Sequence, residues 1–393
     1  MISHRTKKIS PSATLAIDAK AKELKAKGED VIGFGAGEPD FDTPKYIKDA
    51  AKKALDDGFV GYVPTLGVPE LREAIAEKLE KENNVSYIPD DVIVSTGAKQ
   101  ILYEAMLAVV NPGDGVLIPD PWWVSYVPMV QMAQGEPVFV PTYEKDKFRL
   151  IPEIIEEKIT DKTKAIVINS PNNPTGAVLN KNDMRKIADI CIEHDLIAVS
   201  DEIYEKIIYD EEHVSIASFN EMKNRTITVN GFSKAYAMTG WRLGYAAGPA
   251  EIIKAMNKIQ AHSVSCATSF VQKAGVAALK GTENVNPGDD IKAMVSEFRK
   301  RRDFIVGRVG EIDGLSISKP EGAFYAFVNV SDYEKDSMKF CAHLLDLEGT
   351  KVAAVPGIAF GTQGEGFIRL SYATSMENIV RGLDVIEKAL ECY

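Results

Sequence analysis

A lysine at position 234 lies between two apolar segments, in surroundings that suit covalent chemistry. It sits in the run Gly231-Phe232-Ser233-Lys234-Ala235-Tyr236-Ala237-Met238-Thr239-Gly240-Trp241-Arg242-Leu243-Gly244. The residues before it, Arg225-Thr226-Ile227-Thr228-Val229-Asn230, are rich in β-branched side chains and read as a buried strand. Lys234 therefore follows a strand end on a loop, where open α/β sheets place ligands. An amine held there, between Ser233 and Arg242, suits a Schiff base with a phosphorylated aldehyde cofactor. A solvated lysine would sit in a more charged segment, whereas here the chain returns to apolar Leu243-Gly244-Tyr245-Ala246-Ala247.

Other runs supply candidate partners. Ser200-Asp201-Glu202-Ile203-Tyr204 follows apolar Leu196-Ile197-Ala198-Val199, so Asp201 also stands at a strand end. By itself an Asp there reads as a helix cap. A buried carboxylate beside a heterocyclic nitrogen would instead keep that nitrogen protonated, because an adjacent negative charge raises a base's pKa. Ser170-Pro171-Asn172-Asn173-Pro174-Thr175-Gly176 is a turn by composition. Val94-Ser95-Thr96-Gly97-Ala98-Lys99-Gln100 reads as strand, tight turn and helix start, and amides at a helix start bind phosphate. It matches neither the Walker loop nor the dinucleotide fingerprint. Trp122-Trp123 follows Pro119-Asp120-Pro121, where packing is the ordinary role for such rings. Phe367-Ile368-Arg369-Leu370-Ser371-Tyr372 is a strand carrying one arginine, which needs either a structural ion pair or a bound carboxylate. Arg242 poses the same choice between a surface acid and phosphate.

The elements that must position these residues alternate between 90 and 250. Short apolar runs at 92–95, 115–118, 137–140, 165–169, 196–200, 226–230 and 243–246 predict strands, with helices at 100–110, 154–159 and 182–194 between them. Ala165-Ile166-Val167-Ile168 has no polar alternation, which predicts a strand buried on both faces of a mostly parallel sheet. Pro287-Gly288-Asp289-Asp290 reads as a break, followed by a basic helix from 291 to about 310. An α+β portion follows, with strands at 317–320, 323–328, 352–355 and 367–370 and a helix at 338–347.

Composition bounds the partners. The chain has 393 residues, 45% hydrophobic and 26% charged, with a net charge of −11. That is ordinary for a globular chain and argues against nucleic acid or acidic lipid. The four cysteines are dispersed with no Cys-x-x-Cys pair, and the five histidines form no ligand pair at helical spacing, so neither zinc nor a disulfide framework is expected. No segment reads as a signal peptide or membrane span, and the cytoplasm is the expected location.

Taken together, these runs resemble the class I and II aminotransferases, the fold-type I enzymes that use pyridoxal 5'-phosphate. The resemblance carries through nearly the whole chain in the family's order. It implies an α/β fold with a mostly parallel seven-stranded sheet in a large cofactor-binding domain, 46–286, and a smaller α+β domain of 1–45 with 287–393. Lys234 would hold the cofactor and act as general base and acid, Asp201 would face its ring nitrogen, and Tyr204 and Asn173 would donate to its ring oxygen. Ala98, Lys99, Ser233 and Arg242 would form the phosphate cup, and Trp123 would stack on the ring. Tyr62, in Gly61-Tyr62-Val63-Pro64-Thr65-Leu66-Gly67, matches a tyrosine that reaches the neighbouring subunit's phosphate, which implies a homodimer with shared sites. Arg369 would clamp the substrate α-carboxylate, with Gly37 of Gly33-Phe34-Gly35-Ala36-Gly37-Glu38-Pro39-Asp40-Phe41 nearby on a closing segment. Within the family the chain is most similar to the bacterial-type aspartate aminotransferases, some of which also accept prephenate. There Lys99 and Thr14 would bind a distal carboxylate, although this chain has Ala98 where that branch carries glycine. Aspartate and 2-oxoglutarate are the expected substrates. Alanine, aromatic or kynurenine aminotransferases and C–S lyases of the same family share the ring-holding residues. An aminotransferase-like ligand sensor is the non-enzymatic alternative.

Overall fold

The computed structural model describes residues 2–391 apart from 8, 10 and 12. Thirteen strands are named here in chain order. They are β1 Val31–Gly33, β2 Val92–Ser95, β3 Gly115–Asp120, β4 Glu136–Pro141, β5 Thr163–Asn169, β6 Ile197–Asp201 and β7 Thr226–Gly231. Then come β8 Gly244–Ala247, β9 Ser316–Ile317, β10 Tyr325–Asn329, β11 Lys351–Ala353, β12 Val355–Pro356 and β13 Phe367–Ser371.

Seven of these form one sheet in the order β2-β8-β7-β6-β5-β3-β4. Every neighbouring pair is parallel except the two involving β8. Apart from the edge strand β4, the sheet is buried on both faces, as its apolar runs require. Strand alternation sorts its residues onto two faces, and those of the central strands enter two cores. Val116, Ile118, Ala165, Val167 and Val199 pack with Ile101, Leu102, Ala105 and Met106 of the helix Ala98–Val109. Their neighbours Leu117, Ile166, Ile168 and Ala198 pack with Met184, Ile187, Ala188 and Cys191 of the helix Lys181–Glu193.

Register then decides where the chemistry falls. Asn169, the last residue of β5, pairs with Asp201, the last of β6, and Asp201 pairs with Val229 near the end of β7. The turn after β2 lies at the same edge, because Ser95 pairs with Gly244, which also faces Gly231. The strand order reverses direction at β3, so the carboxyl ends of β3 and β5 flank a switch point, the preferred ligand crevice of such sheets.

The remaining strands form a four-stranded antiparallel sheet, β12-β13-β10-β9, and a two-stranded parallel one in which β1 pairs with β11. Their core gathers Phe298, Phe324, Phe340 and Tyr372.

Three expectations are corrected here. Pro287 is not a break: it opens the helix Pro287–Val309, with the Asn286 side chain accepting from the Gly288 amide at 3.1 Å. Proline suits a first helical turn, where its missing N–H has no helical acceptor. The strand expected at 317–320 is confined to Ser316–Ile317. The run expected as a strand at 352–355 divides between β11 and β12, which belong to different sheets.

Gly244 joins fold to site. A Cβ there would press on the Ala98 amide nitrogen and lie 2.6 Å from the Gly97 carbonyl carbon. Gly244→Ala must therefore displace the turn at the start of the Ala98 helix, at a cost of about 1–3 kcal/mol. Denaturant unfolding of the cofactor-free variant measures this, and an unchanged midpoint would show that the turn yields freely.

Candidate active site

A cleft of about 380 Å³ opens at the carboxyl edge of the large sheet. Lys234 lies three residues beyond β7 and is half-buried. Its amine donates to the Gly37 carbonyl of the N-terminal segment. Burial is the main force on it and lowers its pKa to about 8, with Arg369 and Arg242 acting in the same direction and Glu38 opposing them. The amine therefore has a substantial neutral fraction at mildly alkaline pH, as a nucleophile or general base needs.

Asp201 ends β6 and is 4% exposed. It caps no helix. One carboxylate oxygen accepts from the Tyr126 hydroxyl at 2.7 Å and the other from the Ile203 amide at 3.3 Å. Burial raises its pKa to about 6, against the lowering effect of the Tyr126 hydrogen bond. A cation delivered beside it would reverse that rise. Asn169 braces the strand ends: its amide donates to the Asp201 carbonyl at 3.0 Å, and its oxygen accepts from the Asn173 amide nitrogen at 2.9 Å.

The turn after β2 sets an arginine against an uncapped helix start. Gly97 precedes the helix Ala98–Val109, and no side chain caps that helix start. Gly97 has φ +94, and a Cβ there would meet the Arg242 guanidinium at 2.5 Å. Glycine thus provides the left-handed backbone and lets the arginine lie against the turn. Arg242 is anchored by its own donation to the Thr239 carbonyl at 2.7 Å and forms no ion pair with an acid among the described residues. Ser233 lines the same cleft.

Arg369 of β13 is 2% exposed and has no carboxylate partner among the described residues. It donates to the Asn173 side-chain oxygen at 3.0 Å and to the Gly35 carbonyl at 2.9 Å, while its Nε has no partner. Because Arg369 occupies the Asn173 oxygen, the part of Asn173 left to donate into the cleft is its NH2. Trp123 also lines the cleft, with the Lys99 ammonium 4.9 Å from its ring centroid. Burial and the neighbouring Arg242 lower the Lys99 pKa. Thr14 and Gly37 also border the cleft.

The cleft thus gathers Thr14, Gly37, Ala98, Lys99, Trp123, Asn173, Asp201, Tyr204, Ser233, Lys234, Arg242 and Arg369. Tyr62 is not brought in: it is 94% exposed and outside the lining. Sequence reasoning missed Tyr126, Asn169 and Tyr325. Tyr126 follows Trp123 by three residues and Asn169 precedes Ser170-Pro171, so both lay beside runs already singled out. Tyr325 had no such signal, because a tyrosine in an apolar strand reads as core.

These donors fit pyridoxal 5'-phosphate. A lysine amine suits its aldehyde, an uncapped helix start with Ser233 and Arg242 suits its phosphate, and a buried carboxylate suits its ring cation.

The Lys234 environment has a pH consequence for the cofactor-free protein. Its folded pKa, about 8, lies below the usual value for lysine, so the unfolded chain binds the extra proton between about pH 8 and 10.5. In that window this group's contribution to stability rises with pH. Lys234→Met removes it, so the variant's stability advantage is largest below pH 8 and shrinks toward pH 10.5. Denaturant titrations of both proteins across that range test this, and a constant difference would mean an unshifted lysine.

Comparisons with known proteins agree with this chemistry. Residues 29–386 match the family model for aminotransferase class I and II. A probable aspartate/prephenate aminotransferase from Aquifex aeolicus is 50% identical over 395 residues, covering 99% of this chain and 98% of that protein. An aspartate aminotransferase from Bacillus subtilis is 45% identical over 397 residues, covering 99% of each. The structure of Thermus thermophilus aspartate aminotransferase with maleate superposes with a TM-score of 0.95, at 42% identity and 99% coverage of both chains.

Proposed function

This chain belongs to the class I and II aminotransferases, and on that premise we propose that it moves the amino group of aspartate to 2-oxoglutarate, giving oxaloacetate and glutamate. Prephenate is a second acceptor in this reading. The enzyme depends on pyridoxal 5'-phosphate, as its family does. One observation carries the substrate choice: of the cleft's cations without a carboxylate partner among the described residues, Arg369 and Lys99 remain once Lys234 is given to the cofactor's aldehyde and Arg242 to its phosphate. A substrate with carboxylates at both ends meets both.

When bound, the cofactor supplies an electron sink for the charge left on a substrate carbon that has lost its proton. The chain's residues do the rest. The Ala98 helix start with the Lys99 backbone amide, Ser233 and Arg242 would hold the phosphate, leaving the Lys99 side chain free, and Trp123 would stack on the ring. Asp201, fixed by Tyr126 and the Ile203 amide, keeps the ring nitrogen protonated. Tyr204 and the Asn173 NH2 would donate to the ring oxygen. Arg369 holds the substrate α-carboxylate with the Gly37 segment above it, and Lys99 with Thr14 takes the distal one. Lys234 Nζ would hold the cofactor at rest and, once the substrate amine has displaced it, would be free to take the substrate α-proton and give it back, as general base and then acid. Two such half-reactions give ping-pong kinetics.

The same reading assigns 46–286 to the cofactor-binding domain and 1–45 with 287–393 to the small one. It gives Tyr62 to the phosphate site of a second copy, so that the working unit is a homodimer. Its high exposure in a single chain supports that role. Among the described residues no helix is long and apolar enough to cross a membrane, and the cytoplasm is the proposed location.

Protein loaded with pyridoxal 5'-phosphate should be yellow, and the band should vanish on borohydride treatment and be absent from Lys234→Ala. A colourless wild-type protein under the same loading would refute the cofactor site. Lys99→Met should raise KM for aspartate roughly tenfold or more, the worth of one charged hydrogen bond, and leave KM for a neutral amino acid within about twofold. Equal changes for both donors would remove Lys99 from substrate recognition.

A further inference from the structure

Tyr325 stands where three parts of the cleft meet. It is 1% exposed, in β10, and its cross-strand partner in β13 is Ser371. Phe327, two residues on, pairs with Arg369. Tyr325 and Arg369 are therefore diagonal neighbours on one face of the sheet, within reach of long side chains. The Arg369 guanidinium lies 4.4 Å from the Tyr325 ring centroid. The Tyr325 hydroxyl is 2.8 Å from the Tyr204 hydroxyl. A Cβ on Gly37 would lie 3.3 Å from that same oxygen, so the tyrosine also abuts the N-terminal segment.

The hydroxyl contact has a definite polarity once Tyr204 is in use. Each phenol has one proton to donate. If the Tyr204 proton points to the cofactor's ring oxygen, the Tyr325 proton must make the contact between them. A phenol that accepts a hydrogen bond is a stronger donor in its turn. At its other end, Arg369 has no neutralising carboxylate among the described residues, and the aromatic faces beside it, Tyr325 at 4.4 Å and Phe360 at 5.0 Å, are the electrostatic partners the fold supplies.

Resting on the roles proposed above for Tyr204 and Arg369, we propose that Tyr325 is a positioning residue with two separable actions. Its hydroxyl donates to Tyr204 and strengthens that phenol as a donor to the cofactor. Its ring seats the Arg369 guanidinium for the substrate carboxylate. The other charged groups around the pair are Asp201 at the end of β6 and Lys234 beyond β7, which in turn feels Glu38 of the N-terminal segment and Arg242.

Two readouts on cofactor-loaded protein separate the two actions. One is the pH midpoint of the bound cofactor's absorbance change. The other is the dissociation constant of maleate, a dicarboxylate with no amino or oxo group to react, measured by calorimetry. Tyr325→Phe removes the hydroxyl and keeps the ring. A weaker Tyr204 donor leaves the cofactor-site proton more tightly held, so the midpoint should rise by about half a unit or more, with maleate binding within about twofold of wild type. Tyr325→Leu, or Tyr325→Met should the leucine variant fail to fold, removes the ring as well and should weaken maleate roughly tenfold. In a Tyr204→Phe background, Tyr325→Phe should add no further midpoint shift. An unchanged midpoint in Tyr325→Phe, or a full additional shift in the Tyr204→Phe background, overturns the hydroxyl action. Wild-type maleate affinity in the variant without the ring overturns the ring action. A wild-type protein with no cofactor absorbance refutes the cofactor site itself, a different result from unchanged variants of a yellow protein.

Discussion

Buried charge without a protein counter-charge is the constraint around which this molecule is built. Arg369 is almost fully buried with only neutral acceptors, Asn173 and the Gly35 carbonyl. Asp201 is buried with a phenol and one amide, and Lys234 is desolvated enough to move its pKa toward neutrality. Isolated ions in a protein interior are expensive, and a fold tolerates them only where hydrogen bonds hold them or a ligand completes them. All three line one cleft, each able to take part of a single ligand set: an anion, a ring cation and an aldehyde carbon.

The residue beside Asp201 makes the contrast plain. Glu202 is 1% exposed and needs no ligand. Its oxygens are met by Ser200 at 2.9 Å, Ser215 at 2.7 Å, Asn83 at 3.2 Å and His213 at 3.0 Å. Glu205 joins the same cluster through Lys78 and Asn83. Burial pushes the Glu205 carboxyl upward, but Lys78, His213 and Lys206 outweigh it and hold it at about 2. Burial likewise opposes charge on His213, and Glu202 outweighs it, so that pKa is raised. With an ammonium, His213 and three neutral side chains already filling it, this cluster is a structural network. Adjacent acids thus meet opposite fates, one satisfied internally and one left facing the cleft.

Positioning comes from the sheet. Parallel strands send their carboxyl ends to one edge, so residues far apart in the chain converge without long loops. The pairing of Asn169 with Asp201 puts two polar strand ends side by side, and the Asn169 amide ties the second to the turn that carries Asn173. Arg369 arrives separately, on an antiparallel strand whose neighbour β10 carries Tyr325. The cleft is therefore walled by two sheets of different construction, and its contents depend on how they meet.

Much of this was legible in the chain. Unbroken apolar runs such as Ala165-Ile166-Val167-Ile168 admit little besides a strand buried on both faces, and the small-residue turns after them mark where ligands sit. Lys234 stood out by its place between two apolar runs, whereas Asp201, Asn173, Arg242 and Arg369, which alone read as a helix cap, a turn and ion pairs, were assigned through the resemblance to a family. What could not be read were contacts that depend on register and on the approach of separate elements. Tyr126 reaches Asp201 and Tyr325 reaches both Tyr204 and Arg369 across large sequence distances, and a tyrosine in an apolar context looks like core until its hydroxyl's partner is known. The division of 351–356 between two sheets was hidden for the same reason, since a strand's composition does not name its neighbour. Local composition and period thus determined most strands of the large sheet and marked Lys234 as a residue fit for chemistry. Only tertiary packing decided which of those residues touch, because burial and hydrogen-bond partners belong to pairs of elements and not to either one alone.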